Sequence, residues 1–316
     1  MTDMRQLICN LGDAVNEAER LPYHFFRGHS QCYGALLPGI HRSGAIGGLN
    51  SAAQLSRAQR NAAVQFRRKA GSVTDRPLPG NPMDLLILMQ HHGVPTCLLD
   101  WSESLLVALF FAVSQNMGED GELWAMDPAS LNTASMGEPA ELPLPSNKQL
   151  TYLALEGIGD DPYGILDRLK MSSSPIGPIA FEPPHTHKRM TAQLSTFTIH
   201  PNPILQIVQY GMPIGQQAGG TPRKPTNRKE ITELLPDGKS LVQYKIPSEA
   251  KKRIREGLRS IGITHRTLFV DLDSLGMEIR MELARGFLVG PAADSPKDDE
   301  NKPEPFEAVG KPEAKG

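Results

Sequence analysis

The sequence predicts an α+β fold in which mixed strands surround a central buried helix. Strand-like and helix-like segments are mixed along the chain without the regular alternation of a doubly wound sheet. With 316 residues, 39% of them hydrophobic, the chain is long enough to bury a sizeable core. The segment LLVALFFAV at 105–113 is apolar on every side, which predicts a helix in the middle of the domain.

The first hundred residues predict three helices and two strands. Apolar residues at helical spacing predict a helix over 4–18 that Pro22 ends, and consecutive aromatic residues predict a short strand at 23–27. The glycine-rich stretch 34–48 predicts a loop. Helix formers between suitable boundary residues predict helices over 51–70 and 82–92, and VPTCLLD at 94–100 predicts a strand. The helix over 51–70 is basic, which indicates either phosphate contacts or, more commonly, a solvated face.

The remainder of the chain mixes short strands with loops. The buried helix should begin near Ser102 or Ser104, followed by a strand at 121–127. Small residues and prolines predict a loop over 128–145, and irregular structure is predicted for 152–175. Strands are predicted at 178–183, 194–201 and 241–247, then a helix over 248–262 capped by Ser248, and a last helix after residue 273.

These segments predict three parts of the chain. Residues 1–20 are an N-terminal helix, and 21–289 are a single domain with loop insertions near 128–150 and 201–240. Residues 290–316 have the proline-rich, acidic composition of a disordered tail.

Charge and composition exclude several classes of protein. The net charge of −2 argues neither for nor against nucleic acid as a partner. Three cysteines without paired spacing do not indicate a disulfide framework. The longest apolar run has only nine residues, and no secretory signal is visible, so we expect a cytoplasmic protein without membrane contact.

Familiar catalytic motifs are absent, but polar groups stand at the ends of apolar segments. There is no phosphate-binding glycine loop, no HExxH and no GxSxG. Adjacent histidines point apart on one element, so no metal site is expected. Arg27 at the end of a strand presents a fork of donors for phosphate or carboxylate, or else forms an internal ion pair with Asp100. Gly28 would let a ligand or backbone approach closely.

Two further segments supply candidate residues, each with a structural alternative. Asp100, Trp101 and Ser102 stand at the start of the buried helix, where they could meet an anion and a ring, or could cap the helix and fill the core. Arg189 and Gln193 stand just before a strand.

Several of these segments together resemble a known family. The strings FFRGHS, LLPGIHR, LMQHHGVPTCLLDWSESLLVALFFAV, KRMTAQLSTFTIH and GITHRTLFVDLDSLG, in this order, resemble the FRG domain family over roughly residues 20–280. The resemblance implies a bacterial or phage-associated protein and supplies no established mechanism. Three positions depart from the family pattern: Cys97 stands where arginine is usual, Ser195 where glycine is usual, and Val270 where proline is usual.

A weaker resemblance to ADP-ribosyltransferases supplies a catalytic hypothesis. It implies a split sheet, NAD as co-substrate, and a role in defence or as a toxin acting on a protein or nucleic-acid target. Arg27 would hold the NAD diphosphate, Ser102 or Ser104 would order the ribose, and Gln193 would lie near the transferred ribose. Glu182 is the nearest acidic residue for the ribose hydroxyl. The residues predicted to be catalytic are Arg27, Ser102, Gln193 and Glu182, and those predicted to bind the cofactor are Arg27, Gly28, His91, Asp100, Trp101, Ser104 and Arg189.

The alternative is a module that binds a nucleotide or nucleic acid without catalysis. In that hypothesis the same polar groups recognise the ligand, and the basic helix over 51–70 contacts phosphates.

Overall fold

A computed structural model describes residues 6–21, 25–33, 35–42, 52–74, 77–137, 142, 147–160, 162–171, 174–202 and 229–284. The chain divides into two compact units, residues 1–270 and residues 271–316. The first unit contains all the strands described below. Within the second unit the structure describes one helix, whose start is capped by Asp271: the backbone N–H of Ser274 donates to the Asp271 carboxylate at 2.7 Å.

The strands are β1 (Gln6–Leu7), β2 (Phe25–His29), β3 (Leu98–Ser102), β4 (Gly121–Met126), β5 (Ile179–Phe181), β6 (Ser195–Ile199) and β7 (Leu241–Ile246). The helices are α1 (Leu11–Ala18), α2 (Ala52–Ala70), α3 (Pro82–His91), α4 (Leu105–Val113), α5 (Pro128–Met136), α6 (Lys148–Gly157), α7 (Pro162–Leu169), α8 (Lys188–Gln193), α9 (Ile231–Leu234), α10 (Ser248–Ser260), α11 (His265–Phe269) and α12 (Leu272–Ala284), with one turn of 3-10 helix at Gly39–His41.

These elements confirm the α+β prediction. The seven strands form one sheet in the order β1-β7-β4-β2-β3-β6-β5. Only the β1–β7 pair is parallel, and the other neighbours are antiparallel. The described strands belong to this single sheet, and the split sheet that the transferase resemblance implies is not confirmed.

The predicted central helix is α4, which lies across the middle of the sheet. Six of its nine residues are buried, and it packs in one apolar cluster with Phe26 of β2 and Leu123 of β4. Gly28 makes this close packing feasible. A Cβ atom at Gly28 would overlap the carbonyl oxygen of Ala108 and lie 2.7 Å from the amide nitrogen of Ala112. The glycine therefore admits the backbone of α4 instead of a ligand.

Several predicted loops are helical because capping residues start them. The loop predicted over 128–145 begins with α5, where Asp127 accepts a hydrogen bond from the N–H of Ala129 and Pro128 takes the first helical position. The irregular structure predicted for 152–175 was also wrong, because α6 covers its start and α7 lies within it. Asn147 caps α6 through the N–H of Leu150.

Other boundaries also differ from the predictions. The N-terminal helix begins only at Leu11, because Asn10 and Asp13 form a capping box there. Pro247, not Ser248, takes the cap position of α10. The tail 290–316, most of the predicted insertion over 201–240 and the domain limits near 289 lie outside the described residues. None of the described helices has the length and hydropathy needed to cross a bilayer.

Candidate functional site

The alternation of β2 places Arg27 and His29 on the sheet face opposite to α4. Gly28, between them, faces α4. Arg27 pairs in register with Trp124 of β4, and His29 pairs with Glu122. Because directly paired residues share a face, these four side chains form one polar group, which we call the Arg27 network.

Hydrogen bonds connect the residues of the Arg27 network in a chain from Arg27 through His29 to Glu122. Arg27 donates from Nε to Nε2 of His29 at 2.8 Å, so this imidazole nitrogen is the acceptor. The proton of His29 is then on Nδ1, which donates to Oε2 of Glu122 at 3.1 Å. Trp124 donates from Nε1 to the same carboxylate oxygen at 3.1 Å. The carboxylate thus holds the imidazole, and the imidazole orients the guanidinium.

Burial and hydrogen bonds together set the pKa values of the residues in this network. Burial lowers the pKa of Arg27 to about 10, against a smaller opposing effect of Asp100, so the guanidinium is still charged at neutral pH. Burial also lowers the pKa of His29, which matches the neutral imidazole that the hydrogen bonds require. For Glu122 burial opposes ionisation, but the hydrogen bonds from His29 and Trp124 outweigh it and lower the pKa of the carboxyl.

Asp100 contacts Arg27 through its backbone and not through its carboxylate. The Nη1 group of Arg27 donates to the backbone carbonyl of Asp100. The Asp100 carboxylate instead accepts a hydrogen bond from Nε2 of Gln90 at 2.8 Å. The structure therefore does not contain the internal Arg27–Asp100 ion pair that the sequence left as an alternative.

The guanidinium keeps donors that the described residues do not use. Arginine has five N–H groups, and Arg27 directs two of them to His29 and Asp100. No described residue accepts a hydrogen bond from Nη2, and no described carboxylate lies within ion-pair distance of Arg27. Arg42 also acts on Arg27, lowering its pKa by charge repulsion.

Trp101 lies beside this network but belongs to the core. Its side chain is 3% exposed, and Nε1 donates to Oγ1 of Thr198 at 3.1 Å. Oγ1 of Thr198 also lies 2.9 Å from Nε2 of His200. Burial, with smaller effects of His41 and Arg27, holds the pKa of His200 well below its usual value. Trp101 cannot stack on a ligand in this position.

Ser102, Ser104 and Gln193 are brought together, and their hydrogen bonds are structural. Oγ of Ser102 donates to the backbone carbonyl of Gln193 at 2.7 Å and accepts from the N–H of Ser104 at 3.0 Å. Oγ of Ser104 caps α4 through the N–H of Val107 at 3.4 Å. Nε2 of Gln193 donates to the carbonyl of Leu268 at 3.2 Å. Register places Ser102 opposite Phe26, on the face away from Arg27.

The remaining predicted residues do not join the Arg27 network. Glu182 follows β5 and is exposed. Arg189 lies over the ring of Phe269, 4.6 Å from its centroid. His91 stacks on His187 with ring centroids 4.7 Å apart. No hydrogen bond or ion pair joins any of them to Arg27.

Sequence inspection missed five residues of this face: His29, Glu122, Trp124, Thr198 and His200. A signal for His29 was present, because a strand that exposes Arg27 on one face must place residue 29 on the same face. The contribution of β4 could not be found this way, since it depends on the register between strands that are almost a hundred residues apart.

The sequence predicts no metal site, and this stays a prediction. Among the described residues no group of three or more histidine, cysteine or acidic side chains could hold an ion. Cys97, which stands where the family pattern has arginine, is buried, and burial raises the pKa of its thiol.

A match to a family model identifies the domain to which the Arg27 strand belongs. The model of the FRG domain family matches residues 23–121. The chain contains an FRG domain. The matched part of the FRG domain runs from just before β2 to the start of β4, so it includes Arg27, α2, α3, β3 and α4, and it is shorter than the resemblance over 20–280. Neither the curated proteins nor the solved structures gave a match to the chain.

Proposed function

We propose that the FRG domain binds a nucleotide without transforming it, and that Arg27 holds the phosphates. A charged, largely buried guanidinium normally pairs with a carboxylate, because desolvation of an unpaired ion is costly. Arg27 has a carbonyl oxygen and a neutral imidazole as its partners. This is the observation that carries the proposal: the cation is oriented and charged, and its anion comes from a ligand.

Two neighbouring residues favour a nucleotide over a bare phosphate. Arg42 is exposed, and its positive charge lowers the pKa of Arg27, so a phosphate held by Arg27 would have a second cation in its surroundings. Tyr33 is 53% exposed, and its ring lies edge-on to His29 with centroids 5.1 Å apart. An exposed aromatic ring beside two arginines suits a base attached to phosphates.

NAD is the first ligand to test, because it combines a diphosphate with two ring systems. The transferase hypothesis needs Arg27, Ser102 and Gln193 around one ligand. Ser102 and Gln193 are instead engaged in hydrogen bonds of the scaffold. The arrangement therefore favours binding over transfer. A role in bacterial or phage defence, and a protein or nucleic-acid target, stay predictions from the resemblance.

Calorimetric titration of the protein with NAD, ADP and nicotinamide riboside tests the proposal. We expect NAD and ADP to bind and the phosphate-free riboside not to bind. Arg27→Gln should weaken NAD binding by about tenfold to a hundredfold, the usual value of a hydrogen-bonded charge pair. Arg253→Gln is the matched control, because Arg253 is exposed on α10 and should leave the affinity unchanged.

Two outcomes would contradict the proposal. If the parent protein bound neither NAD nor ADP, the proposal that the ligand is a nucleotide would be wrong. If Arg27→Gln bound NAD as tightly as the parent, Arg27 would not be part of the binding site. The same samples should be assayed for nicotinamide release from NAD. Release by the parent that is lost in Arg27→Gln would replace the binding module with an NAD-consuming enzyme.

A further inference from the structure

A large pocket lies between α2, α3 and the segment before α8, with no lining residue from the Arg27 network. Its volume is about 1190 Å³, which suits a small-molecule ligand. Most of its lining is apolar, contributed by residues that include Phe66, Val73, Ile87, Leu88 and Val94.

The walls of this pocket are held by packing behind them. Ala63 of α2 packs with Leu85 and Met89 of α3 in a small cluster whose members are almost fully buried. Phe66 and Val94, which line the pocket, pack against the same cluster. The part of the pocket surface that α2 and α3 supply is therefore the front of a packed helix pair.

One side of the pocket is a group of aromatic rings. His91 and His187 stack with centroids 4.7 Å apart and an interplanar angle of 12°. His92 stands edge-on to His91 at 5.0 Å, and Phe66 lies 6.4 Å from His92 with a tilt of 34°. All four rings line the pocket.

The central ring of this group is uncharged at neutral pH. Burial, with smaller contributions from the nearby His187, His92 and Arg189, lowers the pKa of His91 to about 4. A neutral imidazole presents an aromatic face at lower desolvation cost than an imidazolium.

We propose that this pocket binds a small planar heteroaromatic molecule, whose ring packs against His91, His92 and Phe66. Flat aromatic ligands gain from stacked or edge-on contact with such rings beyond their apolar area. The site is separate from the proposed nucleotide site, so either can exist without the other.

Titration with indole, followed by NMR of the histidine ring resonances, tests this proposal. We expect indole to shift the ring resonances of His91 and His92, and cyclohexylmethanol, which is apolar but not flat, to shift them far less. His91→Ala should weaken indole binding by about tenfold, the upper range for one aromatic contact. His185→Ala, at a histidine outside the lining, is the control and should bind indole like the parent.

A second variant guards against loss of folding in His91→Ala. Ala62 lines the pocket from α2, so Ala62→Phe should fill part of the cavity and also weaken indole binding. Arg27→Gln should leave it unchanged. Absence of indole-induced shifts in the parent, equal response to both probes, or unchanged affinity in both pocket variants would overturn the proposal.

Discussion

At the scale of single residues, Arg27 and Gly28 have different roles on the two faces of β2. The guanidinium of Arg27 is oriented by His29 and by the Asp100 carbonyl on one face of the sheet. Gly28 faces the other way and accommodates α4. The Phe-Arg-Gly sequence thus joins a candidate ligand group to a packing requirement, and the two can be tested separately.

Gly28→Ala should destabilise the fold. The added methyl group would overlap the backbone of α4 at Ala108, and backbone cannot move aside as a flexible side chain can. We expect the free energy of unfolding, measured by urea denaturation, to fall by about 3 kcal/mol, as for severe overpacking. Gly118→Ala is the matched control, because nothing lies within 4 Å of its added Cβ. Equal stability of the two variants would show that α4 does not pack here as described.

At the scale of elements, the connection between β3 and α4 holds three segments together. Ser102 ends β3 and bonds both the start of α4 and the end of α8. Gln193 continues the connection to α11 through the carbonyl of Leu268. Ser102 and Gln193, which the transferase hypothesis makes catalytic, therefore connect elements of the scaffold through their hydrogen bonds.

Ser102→Ala should lower stability and leave ligand affinity unchanged. Two hydrogen bonds at a buried position would be lost, which predicts a decrease of about 2 kcal/mol in the free energy of unfolding. Ser260→Ala, at an exposed serine of α10, should change stability by less than about 0.5 kcal/mol. If Ser102→Ala were as stable as the parent but no longer bound NAD, Ser102 would be a ligand contact and the structural assignment would be wrong.

Elements with strong local signals could be predicted from the sequence. The boundary residues of α2 and α3 and the continuous apolar run of α4 identified these helices within a few residues. The helix α5 was missed because the small residues and prolines over 128–145 indicate a loop, whereas proline at the first helical position after an aspartate cap starts a helix. Of the candidate site, Arg27 could be found locally. Glu122 and Thr198 could not, because register between distant strands places them.

At the scale of the whole molecule, folding keeps several imidazoles neutral: His29 and His200 on the sheet face opposite to α4, and His91 in the pocket beside α3. Burial is the main cause that lowers the pKa of His29, His91 and His200. Unfolded imidazoles protonate near pH 6.5, so below that pH the unfolded chain takes up protons that the folded chain does not. Stability should therefore be full above about pH 6.5 and fall as the pH decreases from there.

His200→Gln should flatten this pH dependence. Each histidine kept neutral by folding contributes a slope of at most about 1.4 kcal/mol per pH unit between its unfolded and folded pKa values. Denaturation at pH 7, 6 and 5 should show a smaller loss of stability for His200→Gln than for the parent, with the exposed His185→Gln variant behaving like the parent. A slope in His200→Gln that is as steep as in the parent would show that His200 is protonated in the folded state.

Nitrogen-15 NMR of the Arg27 guanidinium during a titration with NAD tests directly whether a ligand phosphate pairs with this cation. The Nη2 group of Arg27 has no acceptor among the described residues, so a bound phosphate should supply one. We predict that saturating NAD shifts the Nε resonance of Arg27 and slows hydrogen exchange at its Nη2 group, while the resonance of Arg253 stays unchanged. An Arg27 resonance that does not move when NAD saturates the protein would contradict the proposed contact between Arg27 and the NAD phosphates.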